Sequence, residues 1–167
     1  MSLHYPHAHP PVAGQQFEVA PGIHWLRMPL PFQLNHINLW LLRDGDGWTI
    51  VDTGFANDAV REIWRPVIAG LDGPVRRLIV THFHPDHLGL ATWLMNETGA
   101  QLWMTSGEFL TAHVVWNEVG GHGARFMVEQ FRQHGLEAER LAKFEKRGSG
   151  YRLAVPALPE HYHRLKA

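Results

Sequence analysis

"THFHPDHLGL", residues Thr81 to Leu90, sets three histidines and an aspartate within six positions and places a proline among them. Thirteen histidines in 167 residues would produce H-x-H-x-D-H by chance with a probability on the order of a few per thousand. The stretch directly follows "VRRLIV" (Val75 to Val80), which reads as a buried strand, so the cluster falls at the C-terminal strand edge where open α/β sheets bind ligands. In extended backbone His82 and His84 project to the same side and both imidazoles can reach one ion. Pro85 biases His84 toward extended geometry and turns the chain, which aims Asp86 and His87 at a neighbouring position that could hold a second ion. Imidazole and carboxylate without thiolate suit zinc and also admit iron or manganese.

Working outward, the upstream segments read as strands: "FEVA", "IHWLRM" after the Pro21-Gly22 turn, then "INLWLL" and "WTIV" flanking "RDGDG". Asp-Gly repeats supply the positive φ angles of a tight hairpin, so these strands are expected to be antiparallel neighbours. "INLWLL" is apolar on both faces, as in a strand sandwiched between layers. After "VDTG" the period becomes helical, with Ala59, Val60, Ile63, Trp64, Val67, Ile68 and Leu71 in one stripe and Asn57 as N-cap. Pro66 is expected to kink or interrupt that helix.

Downstream of the cluster, a short helix from about Leu88 to Glu97 ends at Gly99, and "QLWM" forms a further strand. Hairpin strands followed by β-α-β-α-β imply a mixed sheet with helices against it. Thr105 and Glu108 are spaced as a capping box opening a helix through Trp116. "VGGHG" breaks it, "ARFMVEQFRQH" resumes it and ends at Gly135, and "LEAERLAKFEK" is a third helix. The close, with two prolines and no clear period, reads as a connector.

Composition bounds the rest. Hydrophobic residues at 45% and charged residues at 19% give enough apolar surface to fold. Fifteen basic against sixteen acidic residues leave no electrostatic footprint for nucleic acid or anionic lipid. Cysteine is absent, which removes disulfides, thiolate ligands and a cysteine nucleophile. No apolar run approaches a membrane span and no basic leader precedes an apolar core, so a soluble, cytoplasmic protein is the expectation. His4, His7 and His9 lie in a Pro-rich lead expected to lack preorganised geometry.

H-x-H-x-D-H at a strand end, here His82, His84, Asp86 and His87, together with the upstream "VDTG", resembles the metallo-β-lactamase superfamily from about Val19 to Met104. The resemblance implies an αβ/βα sandwich with a one- or two-metal site at one edge. It implies that His82 and His84 join a third histidine on the first metal, that Asp86 and His87 join another histidine on the second, and that an aspartate bridges them. It makes Asp52 the support of the metal loop, and Asp86 the group that orients the attacking hydroxide and handles its proton. Two zinc ions are expected in the complete enzyme, with iron or manganese as alternatives.

The remaining family ligands are not evident. His113, His122 and His134 fall in or between helices and His161 and His163 lie in the tail; His122 within "GGHG" is the best-placed spare, and ordinary surface or packing roles suit them all. His36 reads as structural. The expected organisation is therefore a disordered lead (1–14), the first half of a metallo-β-lactamase-like α/β (α+β) domain (15–104), a helical insert (105–147) that roofs the pocket, and a connector (148–167) to a C-terminal part not included. A half sandwich exposes one face of its sheet, so a homodimer or a companion segment is expected to cover it. The functional expectation is a metal-dependent hydrolase of a small ester or thioester, similar to hydroxyacylglutathione hydrolase (glyoxalase II). The alternatives are a catalytically incompetent metal-binding or scaffold half-domain and a phosphodiesterase or nuclease of the same superfamily.

Overall fold

Alternating apolar positions and two tight turns build the first half of the sheet. The computed structural model describes residues 3, 6, 7, 9–147 and 150–166. β1 (Gln16–Ala20), β2 (Ile23–Pro29), β3 (His36–Asp44) and β4 (Gly47–Val51) form an antiparallel meander. β5 (Val75–Ile79), β6 (Gln101–Thr105) and β7 (His163–Leu165) extend it in parallel, so the described residues form one seven-stranded sheet in sequence order. The switch to parallel pairing follows from α1 (Asp58–Ala69), which carries the chain back between β4 and β5 as parallel strands require.

α1 begins where expected: the Asn57 side chain accepts from Val60 N at 2.8 Å. It does not stop at Pro66 but runs on to Ala69. The missing backbone donor removes one hydrogen bond, while Trp64 and Val67 are buried on either side of the proline, and that burial outweighs the loss. The expected helix over 88–97 is two shorter ones, α2 (Pro85–Leu88) and α3 (Ala91–Thr98). α4 (Ser106–Trp116), α5 (Ala124–Gln133) and α6 (Ala138–Arg147) form the helical stretch after β6.

Both termini depart from expectation. The tail is not an aperiodic connector, because α7 (Tyr151–Ala154) packs into the core and β7 pairs with β6. Three residues are too few for a strand signal in sequence; only the edge offered by β6 recruits them. The lead is not wholly loose either: Pro11 is buried, Gly14 N donates to Arg27 O at 3.2 Å, and the His7 ring meets Phe17 edge-on. His4 lies outside the described residues.

The core occupies one face of the sheet. Leu26 and Met28 of β2, Ile37, Leu39 and Leu41 of β3, Ile50 of β4, Leu78 of β5, and Leu102 and Met104 of β6 pack against Val60 and Trp64 of α1, Leu94 of α3 and Ala112 of α4. The opposite face presents Trp25, Trp40, Leu42, Val51, Ile79 and Trp103, only partly covered among the described residues. Trp25 stacks on Trp40, and the buried Nε1 of Trp103 has no hydrogen-bond partner. The two-sided apolarity of β3 thus corresponds to one filled face and one apolar face that the described helices leave open.

Candidate metal centre

The end of β5 and the turn of α2 place the histidine cluster. β5 ends at Ile79, Val80 continues its direction by donating to Trp103 O at 3.1 Å, and the chain then leaves the sheet. Pro85 opens α2, so His84 is that helix's N-cap residue, with extended backbone (φ −60°, ψ 148°), while Asp86 and His87 ride on its single turn. Gly89 lets this turn sit deep: a Cβ there would lie 2.3 Å from Pro85 O and 2.9 Å from Ala56 N.

The ligand-type atoms fall in pairs. His82 Nε2 lies 3.1 Å from His84 Nδ1 and His87 Nε2 lies 3.5 Å from Asp86 Oδ2. Two donors sharing one tetrahedral ion at 2.0 to 2.1 Å are about 3.3 Å apart, so each pair has the separation of co-ligands. The rings of His82 and His87 are 3.8 Å apart by centroid, which brings the pairs together. Among the described residues no three His, Asp or Glu side chains converge as a complete cage. Each pair supplies two of the four donors that a tetrahedral ion takes.

Beneath them is Asp52, 5% exposed and left-handed at φ 64°, a conformation Asp tolerates better than most side chains. That turn ends β4 and points the carboxylate up under the loop. It accepts from Thr81 N at 2.8 Å, from Thr81 Oγ1 at 2.8 Å and from His87 Nδ1 at 2.8 Å. Because a carboxylate oxygen can only accept, Nδ1 of His87 carries a proton, and in the neutral ring Nε2 is then the nitrogen with the lone pair, on the Asp86 side. The Thr81 hydroxyl, having given its proton to Asp52, is left to accept from His82 Nδ1 at 3.0 Å, which frees His82 Nε2 in the same way. One carboxylate thus sets the tautomers of two histidines, the second through an intervening hydroxyl.

Burial first, then the neighbouring rings of His87 and His84, hold the His82 pKa below the usual histidine value, against the opposing pull of Asp52 and Asp86. Neutral imidazole is the form that ligates.

Sequence reasoning missed four supporting residues. Thr81 heads the quoted stretch but carries no signal of its own. Thr53 Oγ1 donates to His87 O at 2.6 Å and accepts from Leu90 N at 3.0 Å, stitching the end of β4 to α2. Glu108 reads in sequence only as a helix-capping residue, and Tyr151 has no local signal. The other candidate histidines stay apart: His113 meets Pro159 O at 3.3 Å, His36 meets Asn35 at 2.9 Å, and His163 stacks on Trp103. His122 lies in the turn before α5 and His134 caps that helix's end.

A family model described as the metallo-beta-lactamase superfamily matches residues 33–148. Among solved structures, a beta-lactamase domain protein from Burkholderia ambifaria is 43% identical with a TM-score of 0.77, over 97% of this chain and 47% of that one. A metallo-beta-lactamase family protein from Thermus thermophilus is 28% identical with a TM-score of 0.69, over 89% of this chain and 47% of that one. The chain thus spans about half the length of these structures. No curated protein matches it.

Proposed function

This chain belongs to the metallo-beta-lactamase superfamily, and from that premise we propose that it carries the first metal-binding half of a hydrolase acting on a small ester or thioester. The observation that carries the reading is the 3.1 Å approach of His82 Nε2 to His84 Nδ1. Two imidazoles at co-ligand spacing, one of them with its tautomer preset through Thr81 and Asp52, are costly to assemble without a cation to hold.

When bound, a divalent cation, most simply zinc, supplies Lewis acidity and a water whose pKa falls to roughly 7. The chain's own residues do the rest. His82 and His84 would hold one ion, and His87 and Asp86 the second. The Asp86 carboxylate, 29% exposed beside His87, would accept a hydrogen bond from the attacking water, orient it and receive its proton. Asp52 and Thr81 keep both imidazole lone pairs on the cation side. The formal charge of −1 and the absence of a basic run favour a small carbonyl substrate over a polyanionic one. No helix among the described residues is long and apolar enough to cross a membrane.

Zinc uptake by elemental analysis and turnover of a panel of esters, thioesters and phosphodiesters, compared for the parent, His82→Ala and Asp86→Ala, test the proposal. Loss of uptake and of thioester turnover in both variants is the expected result. Full turnover in either variant overturns the hydrolase reading, and uptake without any turnover favours a metal-binding scaffold.

A further inference from the structure

We infer that Glu108 of α4 and Tyr151 of α7 are positioning residues that hold the His82–His84 pair in its co-ligand geometry by gripping the backbone between them. The inference rests on the metal-site reading above. Phe83 separates the two histidines, and both of its backbone polar groups are engaged by side chains distant in sequence. Its N–H donates to Glu108 Oε2 at 3.0 Å, and its carbonyl accepts from Tyr151 Oη at 2.5 Å.

These grips come from two elements fixed to each other. Glu108 stands in the first turn of α4, where Thr105 Oγ1 already accepts from its N–H, so its carboxylate is free to reach out of the helix to Phe83. Tyr151 opens α7 and is 6% exposed. α7 is strapped to α4 by Trp116 Nε1 donating to Val155 O at 3.0 Å and Arg152 Nε donating to Trp116 O at 2.6 Å.

The consequence is geometric. His82 Nε2 and His84 Nδ1 are 3.1 Å apart only while the residue between them keeps its dihedrals, because rotating either flanking peptide swings one imidazole away from the other. Pro85 restrains His84 from one side; nothing covalent restrains Phe83. Anchored N–H and C=O groups supply that restraint before any ion arrives, which reduces the ordering cost of binding. α4 and α7 therefore act on the ligands through Phe83.

The test is titration of the full chain with Co²⁺ and Zn²⁺, reading the dissociation constant by chelator competition and the ligand field by cobalt d–d absorption. Tyr151→Phe and Glu108→Ala are expected to weaken binding by roughly ten-fold each and to alter the cobalt spectrum. Glu108→Gln, which keeps an acceptor oxygen, is expected to bind as the parent does. Should Tyr151→Phe fail to fold, the Glu108→Ala and Glu108→Gln pair decides alone. Unchanged affinity and spectrum in Tyr151→Phe and Glu108→Ala, with His82→Ala abolishing binding, overturn the inference and leave the metal site standing. A Glu108→Gln variant as weak as Glu108→Ala also overturns it. Parent-like binding by His82→Ala removes the metal reading itself and the inference with it.

Discussion

His87 Nδ1 stands 2.8 Å from Oδ2 of Asp52, a contact across 35 positions of sequence that decides which ring nitrogen faces the cation. Asp52→Asn preserves the size of the side chain and tolerates the left-handed backbone, yet offers one acceptor where the aspartate offers two. Zinc affinity is expected to fall by about 10- to 100-fold, with the fold intact by circular dichroism. Undiminished affinity in chelator competition contradicts the role given to Asp52.

Thr53→Val removes a hydroxyl and keeps the shape. Leu90 N, buried in the core, then loses its 3.0 Å acceptor, and an unsatisfied buried donor costs about 1–3 kcal/mol. Urea denaturation is expected to show a loss in that range. A larger fall in zinc affinity than in stability would indicate that α2 has shifted with His87.

Trp64 is fully buried and its Nε1 donates to Thr53 O at 2.8 Å. Trp64→Ala is expected to cost about 3–5 kcal/mol, a large share of the stability of an ordinary domain. Trp64→Phe keeps most of the apolar volume and loses the indole donor, so its unfolding midpoint should fall between those of Ala and the parent.

Gly89→Ala tests the depth of α2. The added methyl would lie 2.3 Å from Pro85 O and 3.0 Å from Ala154 O, both backbone atoms, so the turn bearing Asp86 and His87 must move outward. Weakened zinc binding and a lower melting temperature are expected together; a variant unchanged in both measurements argues against close packing here.

Asp72 accepts from Arg43 Nη1 at 2.9 Å and from Trp48 Nε1 at 3.0 Å, and these bonds, Arg43's first, lower its pKa from the ordinary 3.8. Its folded value lies below its unfolded value, so its contribution to stability is present above about pH 3.8 and fades as pH falls through the folded value. The carboxylate is exposed, so the effect is small. Asp72→Asn is expected to flatten the acid limb of the stability profile in urea unfolding from about pH 5 down to about pH 3; an unaltered slope contradicts the assignment.

Local rules carried the sequence far. Asn57 capped α1, the Asp-Gly pair turned β3 into β4, and the parallel β5 and β6 followed from helices intervening between strands. The approach of His82 to His84 was legible too, since residues two apart in extended chain share a side. Periodicity failed where it must: at Pro66, where burial on both sides of the residue overrode a local preference, and at β7, too short to signal itself.

By itself, then, the chain's order of residues determined which side chains could ligate and at which strand end they would stand, because short-range geometry depends only on neighbours. The motif resemblance also marked Asp52 as their support, but the tertiary structure alone decided the rest of what holds them. Thr53, Glu108 and Tyr151 reach the loop from elements 25 to 68 residues distant, and such contacts arise from how helices and strand ends pack in space. That packing minimises exposed apolar area over the whole core at once, a collective condition that no window of sequence contains.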